Sequence, residues 1–405
     1  MFGSTRNPGR AGEVFQKLIA AGLQINTCEP VREGRLLDDL LGVALRPEQE
    51  EALQAWLRTG SMTAAHAMSF GKSTLGLVAL TRLAGRHLLM VDTDLLREQW
   101  IEKLRERAPA LRVVRKWKPS HFEATVFDRA GLVRCVIEIY SYHTRAAIEG
   151  PYVLACFDEV HRLPARGAHR HALASCEFRL GLSSTARYRE DGRGEFVHKL
   201  TGAMVGDDWT SQLANGEVKR IPVKVFIVED VEHKNEFVGG LLKRHRVAVL
   251  CERLEDGREL ERRYGIPFVH SGTPNKLQVI RSARSVCLSR VGDAGVSMPG
   301  CEVTVDHSGL FGSRSQSLQR LGRLLHSEQA QYHAILMTPA ERLRFGKRVE
   351  AIREKGFDVS EAIAPRGQAT VRPFVAPALA RRVSAQVNPF ASLLGWRKEE
   401  LTDAA

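Results

Sequence analysis

The chain has 405 residues, of which 43% are hydrophobic and 26% charged, as is usual for a globular protein. This length suits two domains that each bury a core of their own. The sequence predicts neither a membrane span nor a secretory signal, because no long apolar run is present. A formal net charge of +12 favours phosphate polyanions as partners, although an ordinary basic protein would also carry it.

Cysteine usage indicates a reducing compartment. The chain has seven cysteines, scattered and without a C-x-x-C pair. This pattern predicts free thiols, with neither a disulfide framework nor a zinc site, in a cytoplasmic protein. The seven are Cys28, Cys135, Cys156, Cys176, Cys251, Cys287 and Cys301.

Residues 1–220 divide into a short N-terminal segment and a first α/β series. Residues 1–40 form an N-terminal accessory segment in which Glu13–Ile25 has helical spacing. From residue 41 to 220, apolar strand-like runs alternate with amphipathic helices. The stretch RPEQEEALQAWLRTG reads as a helix, with Pro47 in its first turn and Gly60 just after it. This alternation predicts an α/β domain with a doubly wound parallel sheet.

A second α/β series follows over 221–357, and the two series join near 215–222. It starts at the apolar run IPVKVFIV and includes a helix over SLQRLGRLLHS. The remaining residues, 358–405, are richer in Pro, Ala and Arg and are predicted to form a partly ordered tail.

The stretch AMSFGKST, residues 67–74, ends like a phosphate-binding loop. The P-loop pattern is G-x-x-x-x-G-K-[ST], and here Gly71, Lys72 and Ser73 fit its end. His66 occupies the leading glycine position, and Ser69 replaces a further glycine. Between a strand and a helix, such a loop holds phosphates, with the lysine on them and the serine hydroxyl on Mg²⁺. The alternative is an ordinary helix start.

Two carboxylates end an apolar strand in LACFDEVHR, residues 154–162. Asp158 and Glu159 would lie at the carboxyl edge of the sheet, where ligands bind in such folds. Asp158 would hold Mg²⁺, and Glu159 would orient or deprotonate a water. The alternative is a pair of acidic cap residues at a strand end.

Two further stretches carry polar groups. Ser183 and Thr185 follow the apolar strand RLGL and offer hydroxyls beside the carboxylates, but for this stretch taken alone a plain Ser/Thr turn is the favoured interpretation. In QSLQRLGRLLHS, Arg320 and Arg323 lie on neighbouring helical turns, and Gly322 would permit a close approach. Cations from a second domain can stabilise charge on a γ-phosphate. A solvated basic helix face is the alternative.

Together and in this order, these motifs resemble the superfamily-2 helicases and translocases. The branch they resemble contains the XPB-like repair helicases, the phage UvsW-type helicases and the type I and III restriction motors. LRPEQEEALQAW is similar to the L-R-P-x-Q segment of that branch, LLMVDTDLLREQW to motif Ia, and REDG to the R-E-D element. HSGTPNK, SRVGDAGVSMPGCEVTV and SGLFGSRSQSLQRLGRLLHS are similar to motifs IV, V and VI. The resemblance covers roughly residues 43–338.

The resemblance implies two RecA-like domains with ATP and Mg²⁺ in the cleft between them. It implies catalytic roles for Lys72, Asp158, Glu159, Arg323 and Arg320, and Mg²⁺ ligation by Ser73 and Asp158. The nucleotide would contact Arg46, Gln49 (on the adenine), Ser69, Phe70, Gly71, Lys72, Ser73, Thr74 and Gly295. Backbone contacts to DNA would come from Thr93, Arg97, Ser141, Gly272 and Thr273, and coupling from His161, Ser183, Thr185 and Gln319.

The sequence also departs from the pattern of the branch. Serine at the position of Ser69 occurs in UvsW-type loops, whereas Phe70 and His66 are unusual there. Motif V often ends in a carboxylate, which Ser297 cannot supply. Motif VI usually ends in a second arginine, and His326 stands at that position.

The function expected from these residues is that of a DNA-dependent ATPase. It would couple ATP hydrolysis to movement on DNA or to its unwinding, in repair, recombination or replication, in a bacterial, phage or mobile-element setting. Its DNA contacts would be independent of sequence, and a protein loading partner is expected. The alternatives are an RNA-directed helicase and a catalytically weak nucleic-acid scaffold or loader.

Overall fold

The computed structural model describes residues 37, 44–165, 167–186, 189, 191–293, 298, 300–308, 314–325, 327–364 and 366. The helix expected at Glu13–Ile25 lies outside them. Within the described part of the chain, no helix has the length and apolar character needed to cross a membrane.

The first unit is an eight-stranded sheet covered by helices. Its strands are β1 Ser61–Ala64, β2 Gly85–Val91, β3 Arg112–Trp117, β4 Phe122–Phe127, β5 Val133–Ser141, β6 Tyr152–Asp158, β7 Cys176–Leu182 and β8 Ala203–Val205. Its helices are α1 Pro47–Thr59, α2 Lys72–Arg82, α3 Asp94–Arg107 and α4 Val197–Thr201. The strand order is β3-β4-β5-β2-β6-β7-β1-β8.

Local sequence explains where these elements begin and end. Pro47 opens α1, where its missing N–H costs nothing, and Gly60 ends the helix in the left-handed conformation. The central strand β6 and the last four residues of β2 are apolar and mostly buried, as strands covered on both faces are.

The second unit is a seven-stranded parallel sheet. Its strands are β9 Val223–Ile227, β10 Val247–Leu250, β11 Phe268–Val269, β12 Val286–Leu288, β13 Val303–Asp306, β14 Tyr332–Met337 and β15 Val359–Ile363. Its helices are α5 Trp209–Ala214, α6 Val231–Leu242, α7 Leu254–Tyr264, α8 Lys276–Ser282, α9 Arg314–Leu325, α10 Pro339–Phe345 and α11 Lys347–Glu354. The order is β11-β12-β10-β13-β14-β9-β15.

The fold class expected from the sequence, α/β with two parallel-sheet units, is confirmed. Three local features differ from the expectation. Strand β4 is antiparallel to both β3 and β5, so one edge of the first sheet is not parallel. Strand β15 lies in the stretch assigned to the tail and pairs with β9. Helix α5 precedes the expected junction, yet Trp209 and Leu213 pack into the core of the second unit.

The two units meet along the carboxyl edge of the first sheet. A Cβ on Gly322 of α9 would lie 1.9 Å from the sulfur of Met68 in the phosphate loop. Glycine therefore allows α9 to approach the loop closely, as its position in the helix suggested. An ion pair of 2.9 Å between Arg281 and Glu102 also joins the units.

Candidate active site

The loop between β1 and α2 has the conformation of an anion-binding turn. Gly71 has φ 88° and Ser69 has φ 65°, both in the left-handed region. Glycine adopts this region without cost, whereas a serine is strained there. The ammonium of Lys72 donates to the carbonyls of His66 and Ala67 at 2.9 and 2.8 Å. Burial lowers the pKa of Lys72 to about 8, against the opposing effect of Glu159 and Asp158.

The two unusual loop residues pack on each other. The rings of His66 and Phe70 are stacked, with centroids 3.7 Å apart and an interplanar angle of 13°. Burial, together with the charges of Lys72 and Arg46, lowers the pKa of His66 to about 3, so the imidazole is neutral. A Cβ on Gly206 would lie 2.1 Å from the His66 ring, so this glycine leaves room for the stack.

Gln49 and Arg46 hold the loop from α1. The Gln49 amide donates to the Phe70 carbonyl at 2.5 Å and accepts from the Arg46 backbone N–H at 2.9 Å. The Arg46 guanidinium also donates to the Phe70 carbonyl and lies 5.0 Å from the Phe70 ring centroid. Both residues therefore bind the phosphate loop itself, and contact of Gln49 with adenine stays a prediction. Thr74 follows in α2, with its N–H on the Gly71 carbonyl at 2.8 Å.

Asp158 and Glu159 lie at the carboxyl end of β6, beside the loop. Asp158 accepts from the indole N–H of Trp100 at 2.7 Å and from the Glu159 N–H at 3.0 Å. Burial and the adjacent Glu159 raise the pKa of Asp158. Burial alone would also raise the pKa of Glu159, but His161, Arg323 and Lys72 lower it. Glu159 has φ 48°, a strained conformation of the kind found at functional sites.

The groups expected to bind Mg²⁺ are chemically suited to it. The Ser73 hydroxyl and the Asp158 carboxylate are hard oxygen ligands. The Lys103 ammonium lies 3.3 Å from the Ser73 hydroxyl, and the Asp158 charge opposes the lowering of the Lys103 pKa by burial. The surroundings of the Ser73 hydroxyl therefore already hold one positive charge, that of Lys103. Among the described residues, no group of three or more His, Cys, Asp or Glu side chains is arranged to bind a metal ion.

A chain of polar contacts leads from Glu159 into the second unit. His161 Nδ1 lies 3.3 Å from a Glu159 carboxylate oxygen, 3.0 Å from the Ser183 hydroxyl and 3.4 Å from the Thr185 hydroxyl. The Ser315 hydroxyl, from α9, donates to Thr185 at 2.9 Å. Three of the expected coupling residues are thus in contact. The fourth, Gln319, is buried one helical turn beyond Ser315.

The two arginines of α9 have different surroundings. Arg323 is 7% exposed, and its positive charge lowers the pKa values of Glu159 and Lys103, as expected of a cation facing the cleft. Arg320 is wholly buried and binds Glu252 at 2.8 Å and Asp306 at 2.5 Å. Its guanidinium is held in an ion-pair cluster inside the second unit, and action of Arg320 on the nucleotide stays a prediction.

The expected DNA contacts of the first unit lie at neighbouring strand ends. Thr93 caps α3, with its hydroxyl accepting from the Leu96 N–H at 3.3 Å. The Ser141 hydroxyl, at the end of β5, donates to the Asp92 carbonyl at 3.3 Å. The Arg97 side chain is only 11% exposed and pairs with Asp94 at 2.5 Å. Arg97 therefore supports this surface from beneath, and direct phosphate contact through it stays a prediction.

In the second unit, Gly272 and Thr273 follow β11. The Gly272 N–H donates to the His270 ring at 3.1 Å, and the Thr273 hydroxyl accepts from the His270 N–H at 3.0 Å. Gly272 is exposed. Gly295, Ser297 and His326 lie outside the described residues.

Sequence reasoning missed three residues of this site, Trp100, Lys103 and Ser315, and quoted Arg189 only as part of the R-E-D element. Trp100 and Lys103 are three residues apart in α3, so helical spacing would have placed them on one face. The Arg189 guanidinium donates to the His161 carbonyl and pairs with Asp191. No sequence pattern distinguishes Ser315 from the other serines of its segment.

Family comparisons match both units. Residues 42–187 match the model of the type III restriction enzyme res subunit, and residues 273–338 match that of the ERCC3/RAD25/XPB C-terminal helicase. The chain is 24% identical to the Rad25 protein of Halobacterium salinarum, over 86% of this chain and 63% of the relative. It is 25% identical to the DNA 3'-5' helicase XPB of Kineococcus radiotolerans, over 79% and 64%. The chain thus spans less than two thirds of these relatives.

Solved structures agree on the fold. Dbp5 of S. cerevisiae bound to RNA and ADP BeF3 superposes with a TM-score of 0.58 at 12% identity, over 88% of this chain and 94% of that chain. The ATP-dependent type ISP restriction-modification enzyme LlaBIII bound to DNA gives 0.55 at 12%, over 80% and 31%. These structures share with this chain the fold of two RecA-like α/β units. By family model and by sequence, the second unit and the chain as a whole are similar to XPB-like helicases.

Proposed function

We propose that this chain is a DNA-stimulated ATPase that couples ATP hydrolysis to movement on, or unwinding of, DNA. The relatives named as DNA 3'-5' helicases support a substrate of this class. The relative of Sulfurisphaera tokodaii is named as a DNA 3'-5' translocase, which supports movement along DNA. Repair, recombination or replication is the setting proposed for this activity.

One observation carries the proposal. The contacts from Glu159 through His161 and Thr185 to Ser315 cross from one unit to the other, and the last three of these residues are buried. A movement of the second unit therefore changes the position of the group expected to orient water. Such a connection is what coupling hydrolysis to movement requires.

The residues take the following roles in the proposed reaction. Lys72 binds the β- and γ-phosphates, and Ser73 with Asp158 binds Mg²⁺, which neutralises phosphate charge when bound. Glu159, kept ionised by its lowered pKa, orients the attacking water and accepts its proton. Arg323 approaches from the second unit and stabilises charge that develops on the γ-phosphate. Strong burial makes these charges act in a low-dielectric site.

A steady-state ATPase assay tests the proposal. Turnover is measured alone and with duplex DNA, single-stranded DNA or RNA of matched sequence. We expect DNA to stimulate turnover, and Glu159→Gln to lower it by at least about 10²-fold, the scale of losing a general base. Glu255→Gln, at an exposed carboxylate of α7 far along the chain from the nucleotide contacts, is the control. Equal turnover with and without DNA would contradict the proposal, and stimulation by RNA alone would make the chain an RNA-directed enzyme.

A catalytically weak DNA scaffold is the second candidate. It is favoured by the contacts of the Lys72 ammonium with two carbonyls of its own loop, which compete with phosphate. Under this alternative, Lys72→Ala leaves salt-sensitive DNA binding and all measured activities unchanged. Under the main proposal, Lys72→Ala abolishes turnover and spares DNA binding.

The same proposal includes a protein loading partner and a cytoplasmic location. Relatives named as subunits of general transcription and DNA repair factor IIH act within an assembly, which supports a partner for this chain. Six described cysteines are free thiols, as in a reducing compartment.

A further inference from the structure

The β3–β4 hairpin at the outer edge of the first sheet carries an exposed aromatic ring. Trp117, the last residue of β3, is 69% exposed, whereas its cross-strand neighbour Phe122 is 1% exposed. Their ring centroids are 4.7 Å apart. Phe122 therefore supports the indole from within while the rest of the ring faces solvent. Core packing alone does not explain a tryptophan in this position.

The Trp117 ring lies on the side of the sheet where β5 ends, which is also where the DNA contacts are expected. Trp117 pairs with Phe122 of β4, and Phe122 pairs with Ile139 of β5, just before Ser141. The Arg97 guanidinium lies 4.5 Å from the Phe122 ring centroid and connects the hairpin to α3. The surface from Thr93 and Ser141 to Trp117 is thus continuous across neighbouring strands.

The charges around the ring are predominantly positive. Lys116 and Lys118 flank Trp117, with side chains 62% and 45% exposed. One carboxylate, Glu123, faces both at 3.9 and 3.8 Å and is only 18% exposed. The Arg115 guanidinium lies on the Phe122 side of the hairpin, 5.5 Å from that ring centroid. Glu123 is therefore shared by the two lysines, and Arg115 adds a third cation on the face of the hairpin that carries Trp117 and Phe122.

The exposed indole of Trp117, with an exposed lysine on either side of it in the sequence, suits one class of ligand. Single-stranded nucleic acid combines a polyanionic backbone with flat bases that stack on aromatic side chains. An acidic peptide would pair with the lysines, but its carboxylates would not stack on the indole of Trp117. A duplex keeps its bases stacked inside and presents none to an edge strand.

We propose that the β3–β4 hairpin is an accessory binding site for single-stranded DNA, in which a base stacks on Trp117 while Lys116 and Lys118 contact the flanking phosphates. This inference rests on the proposed function and extends its DNA path beyond Thr93 and Ser141. The strand would reach the hairpin at one end of that path.

Fluorescence anisotropy of labelled oligo-dT of about 20 nucleotides, without ATP, tests the stacking. We expect Trp117→Ala to weaken binding roughly tenfold, the scale of losing one stacked base, and Trp117→Phe to weaken it less. Leu132→Ala removes another side chain exposed in this sheet region, at 67%, and is expected to bind as the wild type does. Melting curves verify that all three variants fold.

An oligonucleotide that carries abasic positions separates stacking from charge. Wild-type affinity is expected to fall to that of Trp117→Ala, and the variant is expected not to respond to base removal. The inference would be overturned if Trp117→Ala bound oligo-dT as tightly as the wild type does. It would also be overturned if poly-glutamate competed for the site as well as unlabelled oligo-dT does. The measurement needs no ATP hydrolysis. Failure of DNA to stimulate turnover, with this binding pattern intact, would therefore reject the proposed function and leave the hairpin site standing.

Discussion

The Ser315 hydroxyl of the second unit donates a hydrogen bond to the Thr185 hydroxyl of the first, at 2.9 Å and out of contact with water. Thr185 is also 3.4 Å from His161, which contacts Glu159. The hydrogen bond therefore connects the cleft edge of α9 to the carboxylate expected to orient water.

Ser315→Ala is expected to lower DNA-stimulated kcat about five- to tenfold, the scale of one buried hydrogen bond, with little change in the KM for ATP. The reason is that nucleotide contacts remain while the connection between the units is lost. Thr185→Val should act in the same way, and the double variant should be no slower than the slower single variant. Ser282→Ala, on exposed α8, is the control. Additive losses would show that the two hydroxyls act independently.

Gly322→Ala is expected to raise the KM for ATP several-fold, because the new methyl group would collide with Met68 and hold the units apart. Met68→Ala should restore much of the affinity in the double variant, since it removes the colliding atoms. Binding of a fluorescent ATP analogue measures both. The idea fails if Gly322→Ala binds nucleotide like the wild type, or if Met68→Ala gives no rescue.

Ser69→Gly is expected to stabilise the protein by about 1 kcal/mol, because glycine removes the strain of a left-handed serine. The urea midpoint of unfolding measures this. Asn275→Gly is the matched comparison, since Asn275 has φ 46° but asparagine tolerates that conformation better. Its gain should be smaller. A lower midpoint for Ser69→Gly would mean that the serine side chain stabilises the loop.

Acid is expected to destabilise the protein through buried neutral histidines. Burial lowers the pKa of His87 to about 4, so the unfolded chain, with a pKa near 6.5, takes up the proton first as pH falls. Stability from this residue is complete above about pH 6.5 and is lost towards pH 4, by about 2 kcal/mol at pH 5. His66 and His333 act in the same direction.

His87→Gln should therefore flatten the fall in unfolding free energy between about pH 7 and pH 5. The amide can still donate to the Leu83 carbonyl, which His87 contacts at 2.9 Å. His143→Gln, at a side chain 81% exposed, should leave the slope unchanged. Parallel slopes for the wild type and His87→Gln would contradict the assignment.

Periodicity and turn residues predicted some helices, such as α1 and α9, and central strands such as β6, whereas helices such as α6 and α11 were not predicted. Apolar runs such as YVLACFD can be buried only as central parallel strands, and Pro47 and Gly60 limit α1 on chemical grounds. The β3–β4 hairpin was not predicted, because its strands are half-exposed and carry cations on an irregular pattern. Edge strands lack the burial that imposes a clear alternation.

The residues of the sequence motifs were predicted, whereas the contacts between distant parts of the chain were not. Lys72, Asp158, Glu159 and His161 stand in recognisable motifs, and the structure brings them together. Arg320 stands in a motif too, but its partner Asp306 lies at the end of a different strand, so only the fold reveals the buried pair. Long-range pairing of this kind leaves no local signal.

Strand β15 has a practical consequence for any shortened form of this chain. It covers the outer edge of β9 along five paired positions, from Val359 with Val223 to Ile363 with Ile227. A fragment ending at residue 357 would leave the N–H and C=O groups of β9 open to a strand from another molecule. Such a fragment would tend to self-associate, because it would expose the mostly apolar, buried strand β9, whereas β15 is an edge strand that is mostly exposed and carries the charged Glu361.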